Sequence, residues 1–209
     1  MKLEPSDLIS DLNVIGVVLA GGRSSRMHQD KSDLLFNNKS LLEHTQQLLT
    51  DAGCSEVLVS KNQHSDYIPD RYQNSGPLSG IEACLNFILS RHKCKLKNSQ
   101  DIKQADFILI MPVDMPLMTK SLLNALMGKA EQGNAVFYSL GRFPLMLPVS
   151  ESLSKKLIEL LEFAQQGRGV SIKHLLSHIP NQTISIDEDQ HRAFYNCNTP
   201  EQWRNLLET

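Results

Sequence analysis

The sequence predicts a three-layer α/β domain, a doubly wound and mostly parallel sheet with helices on both faces. Two short, continuous apolar runs carry that expectation, Val14 to Ala20 and Phe107 to Met111. Each is rich in β-branched or large aliphatic residues and lacks the in-out alternation of a strand with one wet face, so each reads as a strand buried on both sides. The third observation is the spacing, because amphipathic helical stripes separate the strand-like runs at the interval of right-handed βαβ units.

Taken in order, Val14-Ile15-Gly16-Val17-Val18-Leu19-Ala20 is the expected central first strand. After the Gly-rich loop that follows it, Leu41-Leu42 and Leu48-Leu49 repeat at helical spacing, and Gly53 is placed to end that helix. Glu56 to Ser60 is a second short strand. Ser75-Gly76-Pro77-Leu78-Ser79-Gly80 is turn chemistry leading into the stripe Ile81, Cys84, Leu85, Ile88 and Leu89. Arg91 to Gln104 is a polar loop or a helix extension, solvated rather than built for phosphate. The strand Phe107 to Met111 ends at Pro112-Val113-Asp114-Met115-Pro116. Strand and helix patterns continue through Thr119 to Glu131, Ala135 to Ser139, Phe143 to Pro148 and Leu153 to Gln165. No internal repeat or linker interrupts them, so residues 1–12 read as an N-terminal extension and 13–209 as a single domain.

Composition narrows the function classes. With 41% hydrophobic and 21% charged residues the chain is ordinary globular material. A formal net charge of -2 leaves no basic footprint for nucleic acid. The longest apolar run falls far short of the roughly 20 residues of a membrane helix, and no signal peptide is visible, which predicts a cytoplasmic protein with no membrane partner. Cys54, Cys84, Cys94 and Cys197 have neither C-x-x-C spacing nor a histidine at metal-site distance, and read as reduced thiols.

In folds of this class ligands sit beyond the carboxyl ends of the strands. Leu19-Ala20-Gly21-Gly22-Arg23-Ser24-Ser25-Arg26-Met27 leaves such an end, where successive N–H groups can curl around a polyphosphate and the two glycines permit close approach. Arg23, Arg26 and Lys31 can add charge. The segment is neither the ATPase P-loop nor G-x-G-x-x-G, and by itself it also fits a plain strand-to-helix turn. Asp114 leaves another strand end between two prolines, as a hard carboxylate suited to Mg²⁺ or as an ordinary turn residue.

The first loop, Asp30-Lys31, Gly76-Pro77-Leu78-Ser79-Gly80, Pro112-Val113-Asp114-Met115-Pro116 and Asn196-Cys197-Asn198-Thr199-Pro200-Glu201 together resemble the molybdenum cofactor guanylyltransferases, in that family's order and over nearly the whole chain. The resemblance implies a Rossmann-like nucleotidyltransferase fold. It also implies a reaction in which the terminal phosphate of molybdopterin, with or without molybdenum, attacks the α-phosphate of GTP and releases pyrophosphate. Leu19, Ala20 and Gly21 would then meet the guanine and ribose end, with Gly22 and Arg23 continuing toward the phosphates. Lys31 would bind the triphosphate, and Asp114 would hold Mg²⁺ and the nucleotide, making Arg23, Lys31 and Asp114 the expected catalytic set. Asp70 aligns with a base- or ribose-contacting aspartate, and Ser60 stands where the family often carries a nucleotide-contacting Asn. Ala-Gly-Gly is associated with GTP and Ala-Ala-Gly with CTP-using relatives, and a glycine leaves room for the two-ring base.

His28 departs from the family's usual glycine after Arg-Met. Near the C-terminus, Asn196 and Asn198 at period two can present both amides to a pterin if the segment is extended. They can equally serve the helix starting near Pro200, with Asn198 or Thr199 as its N-cap and Glu201 or Gln202 in its first turn. Arg168, in Gly167-Arg168-Gly169, is a further candidate for molybdopterin. Proteins that deliver molybdopterin and apoenzymes that receive the product are partners implied by the same resemblance. The competing readings are a cytidylyl- or sugar-phosphate nucleotidyltransferase and a non-catalytic nucleotide-binding relative.

Overall fold

Val14–Leu19 forms strand β1 with every residue buried, as a continuous apolar run must be if helices cover both sides of its sheet. A one-turn 3-10 helix (Lys31–Asp33), the small hairpin of β2 (Leu35–Phe36) and β3 (Lys39–Ser40), helix α1 (Leu41–Asp51) and β4 (Glu56–Ser60) follow. Next come α2 (Pro77–Lys97), β5 (Phe107–Pro112), α3 (Lys120–Met127), β6 (Ala135–Tyr138) and β7 (Leu145–Pro148). The chain closes with α4 (Glu151–Gln165), α5 (Ile172–Leu176), β8 (Asn181–Ile184), a 3-10 segment (Glu188–Phe194) and α6 (Pro200–Leu207). The structure is a computed structural model and describes residues 12–21, 30–62, 64–97, 105–131 and 133–208.

Six strands form one sheet in the order β4-β1-β5-β7-β6-β8. The period-two alternation of β1 and β5 splits the core between its faces. Val14, Val18, Leu109 and Met111 pack with Leu41 and Leu49 of α1 and Leu123 and Leu126 of α3. Ile15, Val17, Ile108 and Ile110 pack with Ile81 and Leu85 of α2, Leu157 and Leu161 of α4, and Leu175 of α5. Each fully buried leucine or isoleucine of these layers contributes roughly 1.5–3 kcal/mol of transfer free energy. The three-layer, mostly parallel architecture expected from sequence is present.

One strand runs against the rest. β7 pairs antiparallel with both β5 and β6, whereas β1 with β4, β1 with β5 and β6 with β8 are parallel. The connection from β6 to β7 is only residues 139–144. A parallel return needs a crossover of a dozen or more residues, so a link this short forces a reversal. Uninterrupted βαβ units therefore end at β6.

Local chemistry sets the element ends. Ser40 and Glu43 form a reciprocal capping box at the start of α1, and Gly53, at φ +106, takes the left-handed position just past its end. Thr199 and Gln202 make the equivalent box for α6, which selects Thr199 rather than Asn198 as its N-cap. Polar Arg91 to Lys97 extends α2, and residues 98–104 lie outside the described ones. Among the described residues no helix is long and apolar enough to cross a membrane.

Candidate active site

β1, β4 and β5 run in the same direction, and register aligns their carboxyl ends, Leu19 opposite both Ser60 and Pro112. The ladder continues one step further, with Ala20 N donating to Ser60 O at 3.0 Å and Val113 N to Leu19 O at 3.3 Å. Three loops thus leave one edge from fixed starting points. Ala20 is buried and Gly21 exposed. Gly22, Arg23, Arg26 and His28, which carry the remaining expectations for the first loop, lie outside the described residues.

On the β4 side, the backbone returns from Ile68 to the strand end: Ile68 N donates to Val59 O at 2.9 Å and Lys61 N to Ile68 O at 3.1 Å. This return brings Asp70 back beside Ser60. The Ser60 hydroxyl donates to Asp70 Oδ1 at 3.3 Å, and Asn62 Nδ2 donates to Oδ2 at 3.0 Å. Asp70 N donates in turn to Asn62 Oδ1 at 2.8 Å, so the carboxylate is clamped with acceptor lone pairs to spare. Gly76, at φ +62, opens the turn into α2, whose Gly80 lies against this corner. A Cβ at Gly80 would meet Ser60 Oγ at 2.6 Å and Leu19 Cδ2 at 3.0 Å, so a side chain is excluded there. Behind it, Arg71 donates to the fully buried Glu82 at 2.8 Å, while Glu82 Oε2 has no hydrogen-bond partner. Burial pushes the Glu82 carboxyl up from its ordinary value against the pull of Arg71.

On the β5 side three distant segments meet. Lys31 Nζ donates to Asn198 Oδ1 at 2.6 Å and lies 3.8 Å from Asp114 Oδ2. Cys197 N donates to the Asp114 carbonyl at 2.9 Å, which ties the segment before α6 to the Asp114 loop. From α1, His44 Nε2 lies 3.0 Å from the Pro116 carbonyl and braces the same loop. Among the described residues the buried Asp114 Oδ1 has no hydrogen-bond partner. Burial raises the Asp114 carboxyl above its ordinary value although Lys31 and its own backbone amide pull it down. Cys197 is buried, and burial with the nearby Asp114 charge pushes its thiol up to about 11, which makes it an inert neighbour. Cys54 and Cys84 are pushed up to about 12 by burial.

The expected residues therefore fall into two groups at one edge, Ser60 with Asp70 beside Leu19 and Ala20, and Lys31 with Asp114 and Asn198. Asn196 and Asn198 are both exposed on either side of the buried Cys197, and the Asn196 amide turns back to donate to the Phe194 carbonyl at 3.1 Å. Gln202 Oε1 accepts from the backbone N–H groups of Asn198 and Thr199. Arg168 is exposed, stacks over Phe163 at 5.2 Å and makes no described contact with the other expected residues. Asn62, which holds Asp70, and Lys61, which meets Asp30, Ser32 and Asp33 around Lys31, escaped the sequence reading. Their position directly after the carboxyl end of β4 was the available signal.

A buried carboxylate oxygen with no partner is costly unless something cationic completes it. Among the described residues no cluster of three or more His, Cys, Asp or Glu side chains could hold a metal by themselves. One orphaned carboxylate suits an ion that takes its other ligands from phosphates and water. Asp114 fits that donor set.

A family model described as the MobA-like NTP transferase domain matches residues 16–183. A protein of Xanthomonas euvesicatoria pv. vesicatoria named molybdenum cofactor guanylyltransferase is 35% identical over 194 residues, covering 92% of this chain and 93% of its own. A Flavobacterium johnsoniae protein named probable molybdenum cofactor guanylyltransferase is 28% identical over 196 residues, covering 90% and 94%. Among solved structures, molybdopterin-guanine dinucleotide biosynthesis protein A from Archaeoglobus fulgidus superposes with a TM-score of 0.67 at 19% identity, covering 93% of this chain and 97% of that one. A 4-diphosphocytidyl-2C-methyl-D-erythritol synthase from Anaerococcus prevotii gives 0.66 at 9% identity, covering 97% and 99%. At such identities the likeness concerns the fold alone.

Proposed function

This chain belongs to the MobA-like NTP transferase family and, within it, to the molybdenum cofactor guanylyltransferases, and from that premise we propose that it transfers GMP from GTP to the terminal phosphate of molybdopterin, releasing pyrophosphate. The observation that carries the reading is the meeting of Lys31, Asp114 and Asn198 at the carboxyl edge of the sheet. Three segments spaced across the whole sequence converge there around one lysine ammonium.

In this reading GTP lies along the edge from Asp70 to Asp114. Leu19, Ala20 and Gly21 form the floor under guanine and ribose, and Gly22 and Arg23 continue toward the phosphates. The Asp70 carboxylate, held by Ser60 and Asn62, accepts hydrogen bonds from the base edge or the ribose hydroxyls. Lys31 swings from Asn198 and Asp114 onto the triphosphate, exchanging one neutral acceptor and one distant carboxylate for several anionic oxygens. Asp114 would hold Mg²⁺, its unpartnered Oδ1 being the free ligand. When bound, Mg²⁺ supplies charge neutralisation at the α-phosphate and on the leaving pyrophosphate. Asn198, released by Lys31, offers the oxygen and the nitrogen of its side-chain amide to the incoming molybdopterin, with Asn196 and Arg168 as outlying contacts. Because the acceptor phosphate is already anionic, these residues work chiefly by orienting it and excluding water.

Pyrophosphate release with GTP, CTP and ATP, each assayed with and without purified molybdopterin, tests the reading. GTP-dependent release that requires molybdopterin and a divalent metal is expected. A preference for CTP, or turnover with a hexose 1-phosphate, would overturn it.

A further inference from the structure

Resting on the assignment of Lys31 to the triphosphate, we propose that Lys61 is a positioning residue that neutralises the two carboxylates flanking Lys31 and so leaves the Lys31 ammonium to the nucleotide.

Lys31 sits in Asp30-Lys31-Ser32-Asp33, a one-turn helix with an acid on either side of its cation. Left alone, such a segment carries net negative charge at the place where a polyanion must dock, and its carboxylates compete for Lys31. Lys61 removes both difficulties. Its Nζ lies 3.1 Å from Asp30 Oδ2 and 3.6 Å from Asp33 Oδ1, and it donates to Ser32 Oγ at 2.7 Å. One hydrogen bond and two ion-pair contacts engage its ammonium within the protein. Lys31, by contrast, has one short bond to a neutral amide and one loose contact with Asp114.

The network is built rather than incidental. Ser32 is fully buried, and Asp30 Oδ1 accepts from both its backbone N–H at 3.0 Å and its hydroxyl at 2.8 Å. Only 15% of the Lys61 side chain and 40% of the Asp30 side chain are exposed, so that pair is the less screened of the two, while Asp33, 73% exposed, stays open to salt. Lys61 also stands between Ser60 and Asn62, the two residues that clamp Asp70. Three consecutive residues at the carboxyl end of β4 thus fix Asp70 with their outer members and the Lys31 turn with the middle one.

Isothermal titration of GTP with Mg²⁺ into the full chain tests this with wild type, Lys61→Arg, Lys61→Gln, Lys61→Met and the double variant Lys61→Met/Asp33→Asn. Loss of the cation in Met or Gln should weaken GTP about tenfold, in line with a partly buried charge imbalance. The deficit should shrink at high salt, Arg should stay within about threefold of wild type, and the double variant should recover most of the affinity. The Gln variant keeps donors for the turn without the charge, and it replaces Met in the double variant should Lys61→Met fail to fold. Normal affinity in the Met and Gln variants, or a double variant no better than its parent, would overturn the proposal. A wild-type chain that binds no GTP would instead overturn the guanylyl-transfer reading on which it rests.

Discussion

Replacing Gly80 by alanine should damage both stability and nucleotide binding, although alanine is the better helix former. Gly80 lies inside α2, where Ala in place of Gly is worth about 1 kcal/mol of helix propensity. Against that gain, the added Cβ would lie 2.6 Å from Ser60 Oγ, 3.1 Å from Ser60 Cβ and 3.0 Å from Leu19 Cδ2. Ser60 and Leu19 are buried at strand ends and have little room to yield. Overpacking of this kind costs about 1–3 kcal/mol, and rotating the Ser60 hydroxyl away would relieve only its own contact while releasing Asp70. The net expectation is a loss of about 0–2 kcal/mol, or up to about 8 °C in Tm for a domain of this size. GTP should bind about tenfold more weakly, the equivalent of one displaced hydrogen bond to a carboxylate. Thermal melts and calorimetric titration read the two effects, and a double-mutant cycle with Ser60→Ala locates them. Removing the hydroxyl should restore part of the stability of Gly80→Ala and none of its affinity. A raised Tm in Gly80→Ala, or strict additivity in the cycle, would refute the argument from close approach.

Three further outcomes are expected. Asp114→Ala should abolish guanylyl transfer while leaving the melting temperature unchanged or higher, since it deletes a buried oxygen without a partner; measurable turnover in this variant would remove Asp114 from the metal role. Gly21→Ala should leave Tm within about 2 °C, because among the described residues its Cβ would meet nothing nearer than Ser60 O at 3.9 Å, yet lower kcat/KM for GTP about tenfold or more if the position serves guanine. Glu82, raised by burial, binds its proton more tightly in the folded chain than in the unfolded one. Its contribution to stability is therefore complete below the ordinary glutamate range and is lost as pH rises through its raised value. Urea unfolding from about pH 4 to 7 should show that fall, and Glu82→Gln should flatten it.

What could be read in advance was whatever rested on continuous patterns. β1 and β5 announced themselves as unbroken apolar runs, and their ends located Ala20 and Asp114 on one edge. β8 did not, because an edge strand reading Asn181-Gln182-Thr183-Ile184 carries only a weak half-buried alternation. The β2–β3 hairpin turns through Asn37 and Asn38 at positive φ, a signal that was present but brief. The direction of β7 depended on a connection length that strand patterns alone do not fix. Lys61 was hidden for another reason: its partners Asp30 and Asp33 are about thirty residues away, and only the β1–β4 pairing brings them close. Asn196 and Asn198 shared a spacing but not a partner, since the Asn196 amide turns back to the Phe194 carbonyl and the Asn198 amide meets Lys31.

The bond from Cys197 N to the Asp114 carbonyl and the contact of Asn198 with Lys31 also bear on the order in which the edge is made. Every strand of the sheet precedes residue 185, so all six are synthesised before Asn196 to Thr199, the segment that brings Lys31 its amide partner and the Asp114 loop its backbone latch. That wall is therefore laid down after the sheet it closes, together with the entry of Phe194 into the core.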